Sequence, residues 1–206
     1  ARAVQQIYRM AKPMYLSFDE WAPHPHSGGL LTTLAVAQFL NAFIRHADMV
    51  KMANYTLLTS ILGYDPTTEK HFKTPFFYVF KMFSNTCRGK SLDTLVRCDT
   101  FDVDDFYKGI PYLDVSAVYA EDDHTVILNV VNRHRDEAIT ANIVSCSGNF
   151  ASEASVQEVY REDVSAPYTY AEKDTYIPET RTVATDGSTM TYAFPPHSFT
   201  QIIIGR

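Results

Sequence analysis

Two acidic residues, Asp19 and Glu20, stand at the end of an apolar run in the segment PMYLSFDEW, and prolines and a Gly-Gly pair break the chain soon afterwards. This pattern is typical of a buried parallel strand whose carboxyl end opens into a loop, which is where α/β barrels carry their catalytic groups. A carboxylate in that place is a candidate for chemistry. The pattern fits a structural role equally well, with the two acids capping the backbone or pairing with an arginine.

The first part of the chain alternates between helical and strand patterns. A weak helical pattern over 2–11 precedes the strand at 14–21, and a helix with a broad apolar face follows over 30–44. The helical pattern is expected to continue through 47–58, and a short buried strand is expected at 60–63. Because the chain begins within a predicted helix, we expect it to be part of a longer protein.

A further helix is predicted to begin at Thr74 and Pro75, after a loop over 64–73, because proline is favourable in a first helical turn. Its phenylalanines are expected to face a core. Helix, strand and helix in succession predict β/α units. A closed eight-fold β/α barrel takes about 250 residues, so most of such a barrel would lie outside this chain.

From Asp102 onward the apolar period changes to two, as in Leu113, Val115, Ala117 and Tyr119. Strands every 8 to 15 residues with turn-rich joints predict an antiparallel sandwich. The strands after the first of these are expected at 126–130, 139–143, 154–161, 180–184, 189–194 and 198–204. The acid-rich segment 99–109 is predicted to connect the β/α region to the sandwich region.

Composition excludes several classes of protein. The net charge is -6 without any dense run of Lys or Arg, which argues against a nucleic-acid partner. No apolar run approaches the ~20 residues needed to cross a bilayer, so no membrane partner is expected, and the amino-terminal segment does not read as a signal peptide. Three widely spaced cysteines without a CxxC pair predict neither a disulfide framework nor a metal site.

Several segments together resemble one family. LSFDEW, VAQFLNAFIRHADMVKMANYTLL, TPFFYVFKMFS, IPYLDVSAVY, VILNVVNRH and AFPPHSFTQIIIG occur in this order along nearly the whole chain. In these motifs and their order, the sequence is similar to the α-L-arabinofuranosidases of glycoside hydrolase family 51. The third of these segments resembles the eighth barrel helix of that family, and the second resembles the helix after the seventh strand.

The resemblance implies a fold and a reaction. Residues 1–98 would be the C-terminal part of a (β/α)8 TIM barrel, with strands seven and eight and their helices, and 99–206 an antiparallel jelly-roll-like β-sandwich. The family removes terminal α-L-arabinofuranosyl groups from arabinan and arabinoxylan side chains with retention of configuration. Glu20 matches the family's nucleophile. The mechanism requires no cofactor and no metal, and the resemblance suggests a homotrimer or homohexamer.

The family's acid/base is a Glu that follows an Asn on the fourth barrel strand, and no Asn-Glu pair occurs in this sequence. The resemblance therefore places the acid/base in the missing N-terminal part of the barrel, which would be a partner of this chain. It places there also a strand that family members add to the sandwich. The isolated chain is accordingly predicted to be inactive.

Retaining glycosidases need two carboxyl groups about 5 to 5.5 Å apart, independently of any resemblance. Asp19 is not expected to be the second, because neighbours on a regular strand point to opposite faces. Glu69, in the predicted loop, is the other nearby carboxylate that could serve as the second carboxyl group. The alternative is that Glu69 is a solvated loop charge.

The sequence differs from the family's motifs at two positions. Most members read DEWNVW where this chain reads DEWAPH, so His24 takes the place of a tryptophan that walls the sugar site. Thr74 stands where many members have a glutamine that bonds the sugar. His24 and Thr74 are therefore the predicted substrate-binding residues. His24 and His26 could alternatively be metal ligands, although a third ligand is not evident.

Two readings of the sandwich residues remain open. Asn132, Arg133 and His134 fit a hairpin turn, and alternatively a surface that contacts sugar.

The leading hypothesis for the function is a retaining arabinofuranosidase acting on arabinose-containing oligo- and polysaccharides. A non-catalytic carbohydrate-binding or assembly module, which would need a row of exposed aromatic residues, and a related retaining β-xylosidase are the alternatives. The compartment is not predicted.

Overall fold

The computed structural model describes residues 14–23, 29–56, 61–166 and 168–206. The helix predicted at 2–11 therefore lies outside the described residues. The first strand, β1, spans Leu16–Trp21, within the predicted 14–21, but of its side chains only that of Trp21 is buried, so the expectation of a buried strand was wrong.

A β–α–β unit begins the described chain. Helix α1 (Gly29–Arg45) follows β1, and strand β2 (Val50–Tyr55) returns parallel to β1. The prediction of helix through 47–58 was wrong over 47–56, because a turn follows Arg45 and the backbone of β1 offers hydrogen-bond partners to the next segment. Residues 57 and 58 lie outside the described residues. Strand pairing thus overrides a helical pattern, as tertiary context often does.

The prediction of a buried strand at 60–63 was also wrong for the described residues 61–63. Strand β3 (Leu62–Asp65) instead pairs antiparallel with β4 (Lys70–Lys73), and together they form a hairpin with largely exposed side chains. The second parallel strand of this part is therefore β2. A short apolar run does not distinguish a buried strand from one arm of a hairpin.

Helix α2 (Pro75–Thr86) begins where the sequence predicted, with Thr74 in extended conformation before the first turn and Pro75 within it. Its inner face is aromatic, as predicted, although Phe77 and Phe80 are only half-buried. The inner side chain Phe83 stacks on Phe199, with ring centroids 5.2 Å apart.

A six-stranded antiparallel sheet forms the central layer. Two helices are found among the described residues, and most of the remaining elements are strands. The new strands are β5 (Lys90–Leu92), β6 (Thr100–Val103), β7 (Tyr107–Pro111), β8 (Leu113–Ala120), β9 (Thr125–Asn132), β10 (Ile139–Val144), β11 (Glu153–Val159), β12 (Glu179–Ala184), β13 (Thr189–Phe194) and β14 (Ser198–Gly205). The order in the central sheet is β12-β11-β14-β9-β8-β5. The predicted sandwich strands are thereby confirmed.

The central sheet is covered on both faces. On one face, α1 and α2 pack over apolar side chains such as Val131 and Phe199. On the other face, β10 and β13 form a two-stranded sheet whose Met190 and Phe194 share a core with Ile202. Alternation along β14 thus sends successive side chains into two different cores.

The acid-rich segment predicted as the join forms a separate hairpin of β6 and β7. The chain enters the central sheet before this hairpin, since Lys90–Leu92 pairs with β8. The division of the chain at residues 98 and 99 stays a prediction.

Candidate active site

Glu20 lies next to the end of β1, and its side chain is exposed. Within the described part of the chain no hydrogen bond or ion pair engages its carboxylate. The neighbouring Asp19, in contrast, accepts a hydrogen bond of 2.5 Å from the Ser17 hydroxyl. Of the two candidate acids, Glu20 is therefore the one that is available to a ligand.

The regular alternation of β1 is interrupted at the two acids. Phe18 and Trp21, three positions apart, both pack into the core under the helices, and the pairing with β2 shifts register between them. Irregularities of this kind re-aim side chains and are frequent next to active sites. The expectation that Asp19 and Glu20 point to opposite faces rested on regular alternation and does not carry across this shift.

Trp21 anchors the end of β1. It is 7% exposed. Its ring lies 5.1–5.9 Å from four aromatic rings, those of Phe39 and Phe43 on α1, Tyr55 on β2 and Phe80 on α2. Because each such contact contributes about 0.5–1.5 kcal/mol, the residue after Glu20 is held firmly by both helices.

The indole Nε1 of Trp21 is buried and has no hydrogen-bond partner among the described residues. A buried N–H group without a partner costs free energy, because it has given up its hydrogen bond to water. Tyr55, which packs against the same ring, has a pKa raised by burial.

The carboxyl ends of the two parallel strands meet at one edge. Trp21 pairs with Tyr55, and the Thr56 amide donates a hydrogen bond of 3.0 Å to the Trp21 carbonyl. The two strands therefore end side by side. This edge is where an α/β sheet places its ligands.

Thr74 is 3% exposed, and its hydroxyl donates a hydrogen bond of 2.6 Å to the Ile61 carbonyl. The contact closes the base of the β3–β4 hairpin at the start of α2. Its predicted part in sugar binding stays a prediction. His24 and His26 lie outside the described residues.

Glu69 occupies the turn between β3 and β4, where it is exposed and adopts a left-handed backbone with φ of 54°.

Asn132 and Arg133, at the end of the sandwich strand β9, make internal contacts. The Asn132 amide donates to the carbonyls of Glu137, Phe194 and Pro195. Arg133 pairs with Asp114 at 2.9 Å. These contacts favour the interpretation of this segment as a structural turn and not as a surface that contacts sugar.

The exposed Tyr64 and His71 on the β3–β4 hairpin were missed by sequence reasoning, which predicted a loop there. The signal was the alternation of LGYD and KHFK around a polar DPTTE turn.

The described residues contain no group of three or more His, Cys, Asp or Glu side chains that could hold a metal ion. In the same residues, no helix has the length and apolar character needed to span a membrane.

Comparison with known sequences gives a family match over most of the chain. Residues 19–198 match the family described as alpha-L-arabinofuranosidase C-terminal domain. A relative in Aspergillus clavatus, described as probable alpha-L-arabinofuranosidase C, is 31% identical over 203 residues, which are 90% of this chain and 38% of the relative. Intracellular exo-alpha-(1->5)-L-arabinofuranosidase 1 of Bacillus subtilis is 29% identical over 155 residues, which are 64% of this chain and 31% of the relative.

A solved structure has the same fold. The crystal structure of the GH51 arabinofuranosidase from Xanthomonas axonopodis pv. citri superposes with a TM-score of 0.82 at 22% identity, covering 98% of this chain and 43% of the other. The chain thus spans between 31% and 38% of the two curated relatives.

Proposed function

Since the chain belongs to the family of α-L-arabinofuranosidase C-terminal domains, we propose that it serves a retaining α-L-arabinofuranosidase and supplies the nucleophile of that enzyme. The substrate class would be arabinan and arabinoxylan side chains that end in α-L-arabinofuranosyl groups. The exposed, unpaired carboxylate of Glu20 at the carboxyl end of a parallel strand is the observation that carries the proposal.

In the proposed reaction a carboxylate oxygen of Glu20 attacks the anomeric carbon of the arabinofuranosyl group. The glycosidic C–O bond breaks as the acid/base Glu, which lies outside these residues, gives its proton to the leaving oxygen. Water, deprotonated by the same acid/base, then attacks the anomeric carbon and releases Glu20. Two displacements at one carbon retain its configuration.

The β1–α1–β2 unit supports a place in a larger barrel. Among the described residues, β1 and β2 pair only with each other, so each keeps a free edge on which another parallel strand could pair. We propose that they are barrel strands seven and eight, and that the missing N-terminal part of the barrel completes the site.

A groove of about 720 Å³ lies between the central sheet and the β10–β13 pair, with lining residues that include Val115, Leu128, Ala141 and Ile143. An apolar groove of this size is costly to leave open to water. It supports the expectation that a strand from the rest of the protein completes the sandwich.

The alternative of a carbohydrate-binding module needs a row of exposed aromatic residues along a sandwich face. Within the described part of 99–206, the aromatic side chains that are largely exposed are Phe106 and Tyr107, at one hairpin tip. This arrangement does not favour the alternative.

Kinetics of the full-length protein test the proposal. Glu20→Gln keeps the size of the side chain but removes the nucleophilic carboxylate, so kcat on an aryl α-L-arabinofuranoside should fall by roughly 10³-fold or more. Glu153→Gln, the same change at an exposed residue of β11, is the control and should retain activity. A 2-fluoro arabinofuranosyl inhibitor should add to the peptide that contains Glu20.

Full activity of Glu20→Gln would refute the role of Glu20. Hydrolysis of aryl β-xylosides with no reaction on arabinofuranosides would replace the arabinofuranosidase with the xylosidase alternative. Light scattering of the same protein tests the expected trimer or hexamer.

A further inference from the structure

The β3–β4 hairpin has two different faces. Cross-strand register pairs Tyr64 with His71 and Gly63 with Phe72. Because side chains alternate along a strand, Tyr64 and His71 share one face and Phe72 lies on the other.

The Phe72 face of the hairpin is packed. The Phe72 ring covers Gly63, where even a Cβ atom would overlap it. Phe72 also contacts Tyr170, with ring centroids 6.3 Å apart. The Lys70 ammonium lies 5.5 Å from the centre of the Tyr170 ring. Tyr170 belongs to the sandwich loop, defined as residues 160–166 and 168–178, so the sandwich supports the hairpin from behind.

The sandwich loop is itself well anchored. The Tyr176 hydroxyl donates a hydrogen bond of 2.6 Å to the Ala166 carbonyl, and its ring lies in the core beneath the helices. At the hairpin's base, the Thr74–Ile61 hydrogen bond fixes the other end. The hairpin is therefore held at two points, and one face remains open.

The open face is aromatic and polar. Tyr64 is 55% exposed, and its ring lies 5.1 Å from that of His71 at an angle of 49°. Leu62 and Lys73 flank the pair on the same face by register. The Lys73 ammonium lies 5.2 Å from the centre of the Phe77 ring on α2, so the donor beside Tyr64 is the His71 imidazole. An aromatic surface beside an imidazole suits a sugar, whose C–H face packs on rings while its hydroxyl groups accept hydrogen bonds.

The hairpin's position connects this face to the proposed site. In the chain the hairpin follows β2 and precedes α2, and Glu20 stands next to the last residue of β1, at the edge where β2 also ends. Whatever extends from a sugar bound at Glu20 leaves the site past the segments that rise from this edge.

We propose that Tyr64 and His71 bind the sugar unit on the leaving-group side of the scissile bond in an arabinose-containing oligosaccharide. This inference rests on the proposed function and concerns the choice of substrate. The open face binds the chain from which arabinose is removed, and Glu20 carries out the displacement.

The test compares two substrates in the full-length protein. Arabino-oligosaccharide presents a leaving-group sugar, whereas α-L-arabinofuranosyl fluoride presents only fluoride. In a Tyr64→Thr/His71→Thr variant, which keeps residues suited to an exposed strand, kcat/KM for the oligosaccharide should fall roughly tenfold. Fluoride release from the second substrate should stay within about twofold of wild type.

Two further variants separate binding from folding. Tyr64→Phe keeps the ring and should retain most of the oligosaccharide activity. Tyr107→Thr removes a tyrosine that is 66% exposed on the β6–β7 hairpin, and should change neither reaction. Equal loss on both substrates by the double variant, or no loss on either, overturns the inference.

Failure of the proposed function has a different signature. If the wild-type protein releases no fluoride, or if Glu20→Gln releases it as fast as wild type, the assignment of the site falls and this inference falls with it. If fluoride release depends on Glu20 but the oligosaccharide reaction is indifferent to the double variant, the hairpin inference alone is wrong.

Discussion

The side-chain amide of Asn41 on α1 donates hydrogen bonds both to the backbone carbonyl of Asp114 on β8, at 3.2 Å, and to its carboxylate, at 3.1 Å. The Asn41 carbonyl accepts a hydrogen bond of 2.7 Å from the Ser116 hydroxyl. Asp114 also pairs with Arg45 at 3.0 Å and with Arg133 at 2.9 Å. One fully buried amide thus fixes the helix that follows Glu20's strand to the sandwich sheet.

The polar contacts continue across the sheet. The Asn129 amide donates to Ser116, and the Gln201 amide donates to Asn129 at 2.8 Å. Cys87, whose pKa is raised by burial, lies beside the same groups. A buried network of this kind favours one register between helix and sheet, because another register would break these hydrogen bonds. The Gln201 Oε1 is buried without a partner in the described part of the chain.

Asn41→Leu is expected to lower the free energy of unfolding by about 2–3 kcal/mol, since the carbonyl and carboxylate of Asp114 lose one buried donor and the Ser116 hydroxyl loses its acceptor. Asn142→Leu is the control. Asn142 is exposed and accepts a hydrogen bond from Thr191, so its replacement should change stability by less than about 0.5 kcal/mol. Denaturant unfolding of both variants decides the matter, and equal effects would show that the network contributes little.

Gly89→Ala is expected to destabilise the protein by about 2–4 kcal/mol. Gly89 has φ of 144°, and a Cβ there would overlap the backbone carbonyl of Tyr119, which pairs with β5 and cannot move freely. Gly187 also has a positive φ, but its nearest neighbour would lie 4.0 Å away, so Gly187→Ala should cost only about 1 kcal/mol. Thermal unfolding of the two variants measures the difference, and a smaller effect at Gly89 would contradict the expected clash.

Stability is expected to fall as the pH rises from 9 to 11, in part through Tyr192. Burial raises the pKa of Tyr192 to about 12; its hydrogen bond with Arg181 opposes the shift, and the Glu158 carboxylate adds to it. The unfolded chain, with a tyrosine pKa near 10, loses its proton first. The stabilisation is therefore complete below pH 10 and is lost as the pH rises towards 12.

Tyr192→Phe should accordingly lose about 1 kcal/mol less between pH 9 and pH 11 than the wild-type protein. Denaturant titrations at the two pH values measure this difference. Tyr119→Phe, which replaces a half-buried tyrosine on β8, is the matched control and should follow the wild type. Parallel behaviour of Tyr192→Phe and wild type would exclude a contribution from this hydroxyl.

Residues 1–206 alone are expected to show no arabinofuranosidase turnover, because one carboxylate without its acid partner cannot complete either displacement. The measurement is product release from an aryl arabinofuranoside, with the full-length protein as the positive control. Turnover by the isolated chain that disappears in Glu20→Gln would mean that the second carboxylate lies within these residues, and Asp19 and Glu69 would then be the ones to replace.

Much of the architecture could be predicted from the sequence. Alternation in strands such as β8 and β14, and the proline at the start of α2, predicted those elements, because burial on one face and fixed backbone geometry leave a local pattern. The order of short motifs along the chain predicted the family, and the family match over residues 19–198 agrees with it.

Only the tertiary structure decided the pairing of strands. Val50–Tyr55 has a pattern compatible with a helix and becomes a strand because β1 offers its backbone edge, whereas Leu62–Asp65 pairs with Lys70–Lys73 instead of entering the parallel sheet. The shift of register at Asp19 and Glu20, and the unpaired indole of Trp21, likewise arise from packing between distant segments. Local sequence determines which face of an element is apolar, but contacts between residues far apart in the chain determine what that face meets.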